Sequence, residues 1–208
     1  MFEYFQKGGP VMYFILIMSV YAFAVIIERL YFFYKISFNY KAFLSDVKEL
    51  ILNKQVEHAL LLLKKTPGPL SAIMLQSINA VANGAAGDIK EKVTEIGAYE
   101  VQKAEGRIKH LAVIGNITPL LGLLGTVTGM MSAFSAISIK GANNPTIVAG
   151  GISEALITTA YGLIIAIPTV LAYNYLSSRY ENIIIEVEHS AGEFIDFITK
   201  KDELKRMN

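Results

Sequence analysis

Three stretches of this chain are free of charge for long enough to cross a bilayer, apart from one acid in the third. Val11 to Ile27 carries no charged side chain, and the apolar character resumes over Leu30 to Tyr34. Leu111 to Ile139 is uncharged throughout, and residues 141–178 hold Glu154 as their only charged group. A helical span needs about 20 apolar residues. Inside hydrocarbon the backbone polar groups must bond within the protein, which leaves helices as the simplest solution. The chain therefore reads as an all-α membrane protein with three transmembrane helices and long cytoplasmic helical extensions. Its composition agrees, with 53% hydrophobic and only 18% charged residues, against about 25% charged in soluble domains.

The expected organisation is an N-terminal segment and first span over 1–34, then a cytoplasmic helical region over 35–110. The second and third spans follow over 111–178, and a cytoplasmic C-terminal helix over 179–208. Lysine and arginine set the direction. Of 19 basic residues, 17 lie between Arg29 and Lys109 or from Arg179 onward, and only Lys7 and Lys140 lie on the other side. By the positive-inside rule the large loop and the tail are cytoplasmic and the N-terminus is outside. Glu28 and Arg29 stand where a signal peptide would need small residues for cleavage, so the first segment is expected to be retained.

The extensions are helical by pattern. Tyr40, Phe43, Leu44, Val47 and Ile51 form one apolar stripe, and Pro67-Gly68-Pro69 breaks the chain after it. Leu70, Ile73, Met74, Ile78 and Val81 form a second stripe, ended by a breaker at residues 83–87. Ile89, Val93, Ile96, Ala104, Ile108 and Leu111 continue the period into the second span. Unbroken, that helix would run from Asp88 to Ile139, on the order of 75 Å. Ile184, Val187, Ala191, Phe194 and Ile198 give the tail a coiled-coil-like seam. Packing within the chain and contact with another subunit explain that seam equally well.

Small and polar residues gather on one face of the second span: Thr118, Gly122, Gly125, Thr126, Gly129 and Ala133. Ala155, Thr159, Gly162 and Ala166 make a similar face on the third. Small residues in a span let helices approach closely, and tight packing alone would account for the glycines. The two helices run antiparallel, so Thr126 and Thr159 are expected near the bilayer midplane as a polar belt. Each threonine could instead bond its own helix backbone. Glu154 should cost roughly 2.5–3.5 kcal/mol to bury in lipid on insertion scales. It is expected to face a protein interface or water, in an ion path or in a structural hydrogen bond. Pro119 and Pro168 lie inside spans, where bends are expected.

Other chemistry lacks support. The chain has no cysteine, and His58, His110 and His189 have no metal-ligand spacing. No phosphate loop or nucleophile arrangement is present, so neither an enzyme nor a bound cofactor is expected. The net charge of +1 gives no electrostatic ground for nucleic acid.

Leu111-Ala-Val-Ile-Gly-Asn-Ile-Thr-Pro-Leu-Leu-Gly-Leu-Leu-Gly-Thr-Val-Thr-Gly-Met130 resembles the second span of the MotA/TolQ/ExbB proton-channel family. Gly150-Gly-Ile-Ser-Glu-Ala-Leu-Ile-Thr-Thr-Ala-Tyr-Gly-Leu-Ile-Ile-Ala-Ile-Pro-Thr-Val-Leu-Ala-Tyr-Asn174 resembles the third, and Glu28-Arg29-Leu30 fits the inner end of the first. The motifs are more similar to the ExbB branch than to TolQ. The resemblance implies an inner-membrane homopentamer around two copies of a one-span partner of ExbD or TolR type, acting on a TonB-like protein. It also implies that Thr126, Thr159 and Glu154 line the path of the ion. Tyr161 departs from the pattern, where relatives carry a small or aliphatic residue.

Overall fold

In the computed structural model, residues 5, 7–37, 39–82, 97–99, 102, 103, 105–140 and 145–207 are described. They form helices α1 (Val11–Ile36), α2 (Tyr40–Leu52), α3 (Val56–Lys65), α4 (Pro69–Ala82), α5 (Ile108–Lys140) and α6 (Pro145–Met207). No strand occurs among the described residues. Three helices are long and apolar enough to cross a membrane: Val11–Ile36, Ile108–Ile139 and the apolar part of α6. Their outer faces show why a bilayer is required. Phe23, Leu156 and Leu171 are each about two-thirds exposed, and such large apolar surfaces are not left in water by a soluble monomer.

The chain divides into two compact units, one built from the chain up to Arg29 with residues 107–176, the other from 30–106 with 177–208. The first is the span bundle. At its start Val11, Met12 and Ile15 form a buried cluster against which Phe5, Leu121, Tyr161 and Ile165 pack. Tyr161 thus fills space against the first span. Pro119 and Pro168 both lie inside continuous helices.

In the second unit, the stripe Tyr40, Phe43, Leu44, Val47 and Ile51 is the buried face of α2. Asn39 caps this helix, its side-chain oxygen accepting from the Ala42 N–H at 3.1 Å. The Tyr40 hydroxyl donates to the Ile36 carbonyl at 2.8 Å, satisfying one of the acceptors that a helix end leaves open. Helix α4 starts on Pro69, where the missing N–H costs nothing, and buries Leu70, Ile73 and Met74. Ile78 and Val81 are only half-buried, and Ser77, just before Ile78, is the buried residue that follows Ile73 and Met74. The tail seam is buried within the chain at Val187, Ala191, Phe194 and Ile198, with Ile183 rather than Ile184 at its upper end. Lys48 of α2 pairs with Glu193 of the tail at 2.6 Å and lies over the Phe197 ring.

The helix expected to run from Asp88 to Ile139 is interrupted. Gly106 has φ +46° and sits in a turn before α5. A left-handed residue ends a helix, and glycine takes that conformation without a Cβ penalty. The breaker at 83–87 and the stripe positions Ile89, Val93, Ile96 and Ala104 lie outside the described residues.

Candidate functional site

The small faces of α5 and α6 meet along their length. A Cβ placed on Gly122 would lie 3.0 Å from the Thr158 carbonyl oxygen and from the Thr159 Cα. One placed on Gly162 would lie 2.9 Å from the Thr118 carbonyl oxygen. One turn and more toward the other end, Gly129 would meet the Gly151 carbonyl at 2.8 Å. Backbone thus opposes backbone at each point, and a backbone neighbour cannot rotate aside. Gly125 faces the side chain of Thr158. Ala133 and Ala155 are buried along the same contact, and Ala166 is buried further along α6.

Four threonines share this region and divide into two kinds. Thr118 and Thr158 are fully buried. Each bonds its own helix, Thr118 to the Ile114 carbonyl at 2.6 Å and Thr158 to those of Ala155 at 2.9 Å and Glu154 at 3.1 Å. Thr126 and Thr159 are half-buried. The Thr126 hydroxyl donates to the Leu123 carbonyl on its own helix at 2.7 Å. Thr159 instead donates across the helices, to the Gly122 carbonyl at 3.2 Å. The two hydroxyls therefore anchor on carbonyls of consecutive residues of α5 without bonding each other. A hydroxyl that donates still has lone pairs with which to accept.

The Glu154 carboxylate is half-buried and joins neither hydroxyl. It reaches the amino end of α1, where a Cβ on Gly9 would lie 3.0 Å from the carboxyl carbon and closer still to an oxygen. Near the opposite end of the unit, Arg29 is 7% exposed and pairs with Glu28, which also accepts from Arg107 at 3.4 Å. Tyr21 Oη and His110 Nδ1 share a hydrogen bond of 2.6 Å. Among the described residues no group of three or more His, Cys, Asp or Glu side chains could hold a metal ion.

Three parts of this arrangement lie outside the faces expected from the sequence. Gly115 and Gly151 extend the two small faces by a turn or more each, against Val170 and Ala133. Their signal was present, because Gly115-Thr118-Gly122 and Gly151-Ala155 keep the same 3–4 period. The approach of Gly9 to Glu154 and the pairing of Glu28 with Arg107 join residues far apart in sequence, and no periodicity encodes them.

Comparison with known proteins places this geometry. The family model described as the MotA/TolQ/ExbB proton channel family matches residues 64–189. The Tol-Pal system protein TolQ of Haemophilus influenzae is 47% identical over 102 residues, which is 48% of this chain and 42% of that protein. The ExbB-like 3 protein of Synechocystis sp. is 30% identical over 190 residues, covering 90% of each chain. The biopolymer transport protein ExbB of Xanthomonas campestris is 33% identical over 144 residues, 62% of this chain and 57% of that one. The chain thus spans about half the length of the TolQ and ExbB relatives it matches, and nearly all of the cyanobacterial one. With three membrane-crossing helices and a family match over more than half its length, this multi-pass membrane protein belongs to the MotA/TolQ/ExbB proton channel family.

Proposed function

We propose that this protein is the ExbB-type subunit of a proton-driven motor of the inner membrane, with its loop and tail in the cytoplasm and its N-terminus outside. Five copies would surround two helices of an ExbD-like one-span partner, and the motor would act on a TonB-like protein to energise transport across the outer membrane. The observation that carries the reading is the pair Thr126 and Thr159. Both are partly buried, Thr126 bonding its own helix beside the close-packed Gly125 and Thr159 bonding across to α5. Hydroxyls placed there offer acceptors to a proton carrier in a medium that offers none. Protonation of a partner carboxylate beside them would remove its charge and lower the cost of its passage past an apolar sector. Moving one charge through the potential supplies about 2.3 kcal/mol per 100 mV. Glu154 adds the one acid of the third span near the outer end of that path.

Thr159→Val tests the lining role. It removes one interhelical hydrogen bond, worth about 0.6 kcal/mol on average in membranes, so the complex still assembles. Partner-dependent proton flux in reconstituted vesicles is expected to be lost and to return with Thr159→Ser. Normal flux through Thr159→Val would sink the lining role. The 47% identity to a TolQ protein favours a second reading, a subunit serving envelope integrity. Deleting the gene separates the two: loss of energised nutrient uptake supports the ExbB reading, and envelope leakage with normal uptake supports the TolQ reading.

A further inference from the structure

The sequence Lys7-Gly-Gly-Pro10 before the first span has no part in the seam between α5 and α6, yet it touches the acid of the third span. Gly9 has φ +68°, a conformation that L side chains other than Asn and Asp avoid. A Cβ there would run into the Glu154 carboxylate, with the carboxyl carbon 3.0 Å away and the side-chain Cγ 3.6 Å away. Glycine is thus required at this position for two separate reasons, the backbone and the neighbour.

The turn is itself held in place. The Gly8 N–H donates to the Phe5 carbonyl at 3.3 Å, and the Met12 and Tyr13 N–H groups donate to the Gly9 and Pro10 carbonyls at 3.2 Å. Phe5 packs edge-on against the Tyr13 ring, at 5.3 Å between centroids. It also packs on the cluster of Val11, Met12 and Ile15, which Leu121 of α5 and Tyr161 and Ile165 of α6 complete. The backbone that meets Glu154 is therefore fixed by apolar contacts to both helices of the seam.

We propose that Gly9 is a positioning residue for Glu154: the anchored Gly8-Gly9-Pro10 turn confines the carboxylate from the side opposite its own helix. The inference rests on the reading of Glu154 as part of the ion path. It adds that the orientation of this carboxylate is set by the first span's leading turn, and not by the α5–α6 pair alone. Tyr161 belongs to the same device, since it packs against the cluster that holds the turn.

The test uses the full-length protein reconstituted in vesicles. Glu154 is labelled with a hydrophobic carbodiimide and the labelling rate is read by peptide mass spectrometry. Gly9→Ala forces both backbone strain and collision. Gly9→Asn keeps a residue that tolerates positive φ and so isolates the collision. Gly150→Ala is the control, because a Cβ there meets nothing within 4 Å. Both Gly9 variants are expected to speed labelling of Glu154 by at least about fivefold. In the same variants, partner-dependent flux is expected to fall at least about tenfold, as misplacement of a reacting group commonly produces. Gly150→Ala should match the parent in both. Unchanged labelling in Gly9→Asn overturns the proposal, whether or not Gly9→Ala differs, because the carboxylate then does not depend on the contact. Normal flux with faster labelling overturns the functional half of it. Should Thr159→Val conduct normally, the proton-path reading falls, while the labelling rates still decide whether Gly9 positions Glu154.

Discussion

Thr118 and Thr158 show what a threonine does in a span when it has only structure to serve: it disappears from the surface and bonds a carbonyl of its own helix. Thr126 and Thr159 differ in being only partly buried, and that difference is invisible in sequence. All four stand on the small faces or beside them; spacing identified the faces, and depth in the bilayer, not burial, singled out Thr126 and Thr159. Thr126 does bond its own backbone, the alternative its residue type always allows. Outside the spans, Tyr40 illustrates a residue whose burial has a measurable consequence. It is 3% exposed, and burial, then the charge of Glu186, pushes its hydroxyl up to about 12. The folded state therefore favours the neutral phenol. The stability this contributes is complete below pH ~10 and is lost as pH rises from about 10 to about 12, by up to about 3 kcal/mol. Thermal unfolding across that interval should lose stability more steeply in the parent than in Tyr40→Phe, which has no proton to release. Equal slopes would show that Tyr40 ionises as freely folded as unfolded.

At the scale of elements, the three spans were legible because absence of charge over a long run has one physical explanation. The stripes of α2 and α4 were legible for a related reason, as their apolar side chains recur at the helical period and become the buried faces. The interruption at Gly106 was not. Apolar spacing runs through that residue undisturbed, and a single left-handed φ leaves no trace in periodicity. The tail seam was read one residue off at its upper end, where adjacent isoleucines gave the pattern two equivalent starting points. The seam between α5 and α6 yields the sharpest prediction here. Gly162 faces the Thr118 carbonyl and Gly122, so Gly162→Leu must push the two backbones apart. Overpacking of this kind costs typically about 1–3 kcal/mol, and it would also break the Thr159 to Gly122 hydrogen bond. The variant is expected to lower the melting temperature in detergent, whereas Gly150→Leu, at a glycine with open space around it, should leave it near the parent value. Equal effects at both positions would argue against a close backbone contact.

For the whole molecule, the decisive property is how little of its span surface a single chain covers. Tyr13, Ile17, Val20 and Phe23 of α1 are about two-thirds exposed, and so are Leu120 and Met131 of α5 and Ile164 and Leu171 of α6. Lipid can cover all of these at no cost. It cannot serve Thr126, Thr159 or the exposed Asn116 and Asn174 equally well, because an amide or hydroxyl facing hydrocarbon forgoes its hydrogen bonds. Polar groups on an outer span face therefore favour further protein over lipid. The family resemblance supplies the form that protein would take, additional copies of this chain closed around a one-span partner. Symmetry permits such an assembly: a head-to-tail contact repeated between identical chains closes into a ring when its rotation closes, and otherwise makes an open filament. Native mass spectrometry of the protein, purified with and without a one-span ExbD-like partner, should show five copies alone and a gain of two partner copies when both are present. A monomer or dimer that ignores the partner would leave the polar groups without their expected neighbours. It would then favour a passive scaffold over a motor, and dissipating the proton gradient would be expected to change nothing.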